Sequence, residues 1–250
     1  MPSKLVTDRE KSARAVAAAA ETHAAEIAAR VSLELEPHLG PGEALPDSGL
    51  LVRLIGRKIL ADNAALVARD REHEKELADD AGPREARDDA ASKVRSALVD
   101  LRGAVESTYG APGLTLLGLS DAIPVDPTVI AATASSVVKA LKDADIKLPK
   151  PKRAAMKLDR AAFAVDVAED LPALQKALAR VAKEDREKEI TQRAKNEAMA
   201  RNDSTFTSGA SFVAASCLVA GLVDIAAKVR PSGRRPGQTV VAEETSDPIL

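Results

Sequence analysis

TDREKSARAVAAAAETHAAEIAARV, residues 7–31, is the stretch that decides the fold. It opens on Thr7-Asp8-Arg9-Glu10, a Thr followed three residues later by Glu, which is the pattern of a helix N-terminal capping box. Val16, Ala20, His23, Ile27 and Val31 then recur at spacings of three and four, the period of one helical face. Alanine fills most of the remaining positions. It is the best helix former, and its small side chain lets helices approach closely. The spacing predicts a first helix that stops near Glu36, because Pro37 and Gly40-Pro41-Gly42 follow.

Working outward, the same grammar repeats. Asp47 or Ser48 caps a second helix with Leu51, Ile55, Ile59 and Leu66 on one face; beyond Ala68 its stripe gives way to charges, and Gly82-Pro83 ends it. Pro83 starts a third helix carrying Val94, Leu98, Leu101 and Val105. Residues 110–126 are irregular but apolar, with Leu114, Leu116, Leu117, Leu119, Ile123 and Val125, and read as a connector packed on the core. Asp126-Pro127 caps a fourth helix through Ile130, Ala134, Val137 and Leu141. A fifth starts near Asp159, with a kink expected near Pro172, and continues through Phe163, Val167, Leu171, Leu174, Leu178 and Val181. A sixth covers roughly residues 205–229. It is apolar on nearly every side around residues 212–223, so it should be the most buried. Residues 230–250 hold Pro231, Gly233, Pro236 and Gly237 before Glu243, Glu244 and Asp247, and read as a disordered tail.

The expected fold is therefore all-α, a coiled-coil-like bundle of about six long antiparallel helices. It divides into a first helical half (residues 1–109), the connector (110–126), a second helical half (127–229) and the tail (230–250). Val67-Ala68-Arg69-Asp70 resembles Val181-Ala182-Lys183-Glu184, and Ala86-Arg87-Asp88-Asp89 resembles Ala200-Arg201-Asn202-Asp203 at the same offset. Two accounts are open: tandem three-helix halves, with helices two and three and helices five and six as hairpins with charged tips, or a compositional likeness of Ala-rich charged helices.

Composition narrows the function classes. In 250 residues there are three Phe, one Tyr and no Trp, which removes stacking platforms for single-stranded nucleic acid and aromatic floors for small-molecule pockets. A net charge of −2 gives no global field for nucleic acid or membrane. Cys217 stands alone in an apolar run, so a reducing, cytoplasmic setting fits, and that run is too short to span a bilayer. The charged N-terminus shows no signal peptide.

Tyr109-Gly110, Gly113-Leu114, Leu117-Gly118-Leu119, Pro124, Asp126-Pro127, Leu148-Pro149, Arg230-Pro231-Ser232 and Arg234-Arg235-Pro236-Gly237 together resemble a set of bacterial all-helical proteins without an assigned activity. The likeness covers residues 109–237. It implies no chemistry, and supports treating the connector and the Arg-Pro segment as defined features.

Candidate sites are few. Asp70-Arg71-Glu72-His73 has the acid-x-x-His spacing of a helical metal turn. A di-iron bundle needs two such turns, and Arg71, Glu74, Lys75 and Glu76 make this one read as a solvated face. His23, on the apolar face of helix one, is the histidine expected to be buried, and Cys217 reads as a small hydrophobe. No Gly-rich loop has a Walker or dinucleotide pattern. No catalytic, cofactor or metal residue is assigned. Two basic segments stand out. Lys147, Lys150, Lys152, Arg153, Lys157 and Arg160 face one carboxylate, Asp159; Arg230, Arg234 and Arg235 form a second knot. Lys150, Lys152, Arg153, Lys157, Arg230, Arg234 and Arg235 are the candidate partner-binding residues. The leading expectation is a non-enzymatic scaffold or interaction module that takes a protein partner or self-associates. The alternative is a nucleic-acid or acidic-partner binder using segments 147–160 and 230–235, although a recognition-helix pattern is missing.

Overall fold

The computed structural model describes residues 3–79, 81–153, 155–233 and 235–240. Among the described residues there is no strand, and the helices are α1 (Lys4–Leu35), α2 (Ser48–Asp79), α3 (Ala81–Tyr109), α4 (Ala111–Leu116), α5 (Pro127–Lys142), α6 (Arg160–Glu169), α7 (Leu171–Val219) and α8 (Val223–Val229). The all-α bundle is what the sequence predicts. Its division is not.

Two compact units form, one from residues 1–75 and 189–250 and the other from residues 76–188, instead of halves before and after the connector. The cause is α7. Residues 182–205 contain neither Gly nor Pro, so nothing stops the helix between Leu171 and Val219, and its two ends join different cores. The expected tip at residues 183–203 is therefore mid-helix. The expected kink at Pro172 is a break: α6 ends at Glu169, and Pro172 sits in the first turn of α7, where its missing N–H costs nothing. Between α2 and α3 only position 80 intervenes, too little chain for the 2–5-residue loop of an α-hairpin.

The first unit packs α1, most of α2 and the second part of α7. α2 runs antiparallel to α1: a Cβ on Gly49 would lie 2.7 Å from the Ala24 carbonyl oxygen, and one on Gly56 would lie 3.0 Å from Ala20 Cβ. These two glycines, seven residues apart, let the two backbones meet. α2 also runs antiparallel to α7, because Asn63 faces Asn202 and Asp70 faces Lys195. The inward positions of α2 are Val52, Gly56, Ile59, Asn63, Leu66, Asp70 and His73, a strict alternation of four and three that defines a heptad seam. Against it α7 buries Phe206, Ala210, Val213, Ala214 and Cys217. Burying a side chain the size of Phe206 contributes about 1.5–3 kcal/mol.

α1 begins earlier than its capping box predicts. Ser3, not Thr7, is its N-cap, held by a 2.7 Å hydrogen bond from the Ser3 amide to Asp70 Oδ2; Thr7 lies inside the first turn with its hydroxyl on the Ser3 carbonyl. That long-range anchor outweighs a local cap.

The second unit packs α3 to α6 with the start of α7. Its core runs from Val94, Leu98, Leu101 and Val105 on α3 to Ile130, Ala134, Val137 and Leu141 on α5 and Val167 on α6. The connector lies on this core as expected, burying Leu114, Leu117, Leu119 and Ile123, but part of it is helical (α4). α4 ends in a Schellman motif: Gly118 has φ +70°, the Leu119 amide reaches the Leu114 carbonyl at 2.8 Å, and the Gly118 amide reaches Thr115. Asp126 caps α5 through the amides of Thr128 and Val129, and Asp47 rather than Ser48 caps α2 through the Leu50 amide.

Candidate docking groove

α7 does not continue to Val229. Gly221, at φ +71°, closes a second Schellman motif in which the Leu222 amide bonds the Cys217 carbonyl at 2.7 Å. The chain reverses, and the short α8 returns over α7, burying Ala226 and Val229 in the core of the first unit. Only one stripe of α7 is then covered. Phe212, Leu218 and Val219 are exposed, contrary to the expectation of a helix buried on all sides.

A groove of about 400 Å³ remains between α7 and α8. Its α7 wall is Ser211, Ala214, Ala215 and Leu218, one face at spacings of three, four and seven. The other wall is Val223, Ala226, Ala227 and Arg230, with Pro231 at the end. The floor is small side chains, and the rims are apolar and open, with Leu218 56% and Val223 62% exposed. Arg230 is the only ionisable residue of the lining. Lys228 lies in the last turn of α8 and Asp224 in its first turn, and Arg235 is exposed in the turn that follows.

Residues 230–240 hold this end in place. Pro231 and Thr239 form an antiparallel bridge, Val240 N–H donates to the Arg230 carbonyl at 2.9 Å, and Ser232 N–H donates to Gln238 at 2.7 Å. Gly237, at φ +75°, lies against Arg9 and Asp203 so closely that a Cβ there would collide with Asp203 Oδ1. Beneath it Arg9 grips Asp203 through two hydrogen bonds of 2.7 and 2.8 Å. The expectation of disorder from residue 230 is thus corrected over residues 230–240. The turn replaces lost chain entropy with backbone hydrogen bonds and an anchor on α1, the Thr239 amide reaching Ser12 Oγ. Residues 241–250, and Arg234, lie outside the described residues.

The two basic segments fall in different units. Arg230 lines the groove, and Arg235 is exposed in the turn that follows. In the second unit, Lys152 donates from Nζ to the Glu106 carbonyl at 3.0 Å and from its amide to Thr108, closing the C-terminus of α3. Arg160 donates to the carbonyls of Ala140, Leu141, Asp143 and Ile146, closing the C-terminus of α5. Cations belong at these ends, where carbonyls lack helical partners. Lys150, Arg153 and Lys157 are exposed.

The acid-x-x-His turn is not a solvated face. Asp70 is 0% exposed; Lys195 Nζ lies 2.7 Å from Oδ1, and Oδ2 accepts the Ser3 amide. Burial pushes this carboxyl up, but the Lys195 ammonium and the Ser3 amide outweigh it and hold the group below the usual carboxylate range. His73 is buried with Nδ1 3.0 Å from Thr191 Oγ1, whereas His23, expected inside, is partly exposed beside Glu26. Both oxygens of Asp70 are committed, so the turn serves packing. Burial, reinforced by the negative charge of Glu26, pushes the Cys217 thiol up, which fits an inert core residue. Among the described residues one carboxylate cluster has ligand-like spacing: Glu76, Glu184 and Glu187, in the second unit. Glu184 and Glu187 pair with Arg180 and Lys183 one turn away, as on any charged helix face.

Sequence reasoning missed the polar seam. Its signal was present: Asn63, Asp70 and His73 continue the heptad of Val52, Ile59 and Leu66 without a change of register. Compared with protein-family models, with curated proteins and with solved structures, the chain matches none. Among the described residues no helix is long and apolar enough to cross a membrane.

Proposed function

We infer that the chain is a non-enzymatic helical interaction module whose partner docks in the groove between α7 and α8. The observation that carries this is the groove itself: a small-residue floor, two exposed apolar rims and a cation at one end. Ala and Ser floors let a second backbone approach closely, exposed apolar rims contribute area, and Arg230 selects for a carboxylate. One ionisable lining residue offers no acid–base pair, which favours binding over catalysis. The partner class is an acidic, amphipathic protein segment. The alternative, a nucleic-acid or acidic-partner binder, then rests on segment 230–235 and on exposed Lys150, Arg153 and Lys157, since Lys152 and Arg160 are engaged at helix ends. A cytoplasmic setting accords with a single, free and buried cysteine.

Ala215 is solvent-accessible on the groove floor, so Ala215→Arg fills the groove without entering the core. Immobilised full chain should retain a protein from extracts of its own source cells, and the variant should lose it at unchanged melting temperature. If the retained set is identical, the groove has no part in the function. Self-association is the same reading with a second copy as occupant, and would appear as concentration-dependent mass in light scattering that Ala215→Arg suppresses.

A further inference from the structure

We propose that in the resting chain the α7–α8 groove is occupied by the chain's own residues 241–250, which a partner must displace. This rests on the groove being a docking surface, and names its first occupant.

Three observations converge. The first is position: Val240, the last described residue, is hydrogen-bonded through its amide to the carbonyl of Arg230, and Arg230 lines the groove. Val240 therefore stands at the groove's own edge. The second is order. Along the segment come Glu243 and Glu244 first and Ile249 and Leu250 last. Along the groove from that edge comes Arg230 first, and the exposed Leu218 and Val223 further on. Carboxylates meet the Arg230 guanidinium and aliphatic side chains meet the apolar rims without crossing the chain. The third is length. Arg230 and Val223 are about 10 Å apart along α8 at ~1.5 Å per residue, whereas ten extended residues reach up to about 33 Å.

Tethering makes modest contacts sufficient. A segment joined at the edge of its site acts at an effective concentration of about millimolar. A separate acidic segment of the same chemistry competes against that local concentration, so the tail sets a threshold for partner binding.

The test uses the full chain with a cysteine at Ala227, in the groove, and another at Ile249; native Cys217 is retained because it is fully buried. Under mild oxidation this pair should form an intramolecular disulfide at least tenfold faster than a pair of Glu21→Cys with Ile249→Cys. Glu21 is exposed on α1, nine residues from Ser12, where Thr239 is anchored, so it lies within tether reach but off the groove. Ala215→Cys with Ile249→Cys is a second groove pair, and circular dichroism checks that each variant folds. The rate should not depend on protein concentration. Glu243→Arg with Glu244→Arg should slow it severalfold, and adding Arg230→Glu should recover much of the loss. Equal rates at positions 21 and 227, indifference to the charge changes, or cross-linking only between molecules would each overturn the proposal. Partner retention lost through Ala215→Arg would still stand in any of those cases, so the two readings fail separately.

Discussion

Six of the seven buried polar residues among those described, Arg9, Ser12, Asn63, Asp70, His73 and Asn202, lie in the unit built from residues 1–75 and 189–250, whereas in residues 76–188 only Thr108 is of this kind. The two cores solve different problems. In the first, three long helices with regularly spaced apolar faces could slide past one another by a heptad with little change in burial. Polar partners at inward positions remove that freedom, because a slip would strand Asp70 from Lys195 and Asn63 from Asn202. In the second, helices are shorter and end more often, so exposed carbonyls are the difficulty, and cations are spent there: Arg160 on α5, Lys152 on α3, Arg102 on the Leu119 carbonyl. Charge specifies register inside one unit and closes helix ends in the other.

The sharpest way to break this contrast is Lys195→Met, which leaves the Asp70 carboxylate buried without its cation. It should cost about 3–5 kcal/mol in chemical denaturation, and adding Asp70→Leu should recover most of that. A loss under about 0.5 kcal/mol would show that the pair does not hold the seam. Next in size is Arg160→Met in the second unit. Removing a charged donor from four carbonyls should cost roughly 1.5–3 kcal/mol, read as a lower melting temperature and as faster amide exchange around the C-terminus of α5.

Gly237→Ala follows. A left-handed backbone alone costs about 1–2 kcal/mol in a non-Gly residue, and the new Cβ meets Asp203 Oδ1. Both effects should loosen residues 230–240, seen as lost exchange protection at the Val240 amide.

The comparison is sharpened by acid. Burial pushes the Asp70 and Asp62 carboxyls up; for Asp70 the Lys195 ammonium and Ser3 amide, and for Asp62 Lys58 and Thr205, more than offset this, so both sit below their ordinary value. A folded-state value below the unfolded one, about 3.9, stabilises the chain above that pH and ceases to as pH falls through the folded value. Melting temperature should therefore fall below about pH 4, and Asp62→Asn should flatten part of that fall. An unchanged slope would remove Asp62 from the account. The smallest effect is expected from Leu218→Asp: on the open rim it should change stability by no more than about 0.5 kcal/mol while weakening whatever occupies the groove.

Much of the helix content was legible because its signals are local. The stripe of Val94, Leu98, Leu101 and Val105, the Asp126-Pro127 start and the buried Leu114 and Leu119 are all where the pattern places them. The site was legible only in part. Arg230 stood out as a cation beside proline, yet the groove it lines depends on a reversal at Gly221 inside a run that reads as one apolar helix. Lys152 and Arg160 looked like free charges because the carbonyls they bind lie 46 and 14 to 20 residues away.

By itself the sequence determined that this is an all-helical chain with Ala-rich faces, which stripes α3 and α5 bury, and which residue caps α5. Period, composition and capping act over one or two turns, so they need no partner to be read. Tertiary structure alone decided which helices share a core. The continuity of α7 carries one end into each unit, and α1 starts after Ser3, ahead of the Thr7 box, with the Ser3 amide held by Asp70, 67 residues away. It also decided which polar residues are interior. A heptad position filled by Asp or His is indistinguishable from a solvated one until Lys195 or Thr191 arrives from a helix more than a hundred residues distant. A buried charge is tolerable only once its partner is in place.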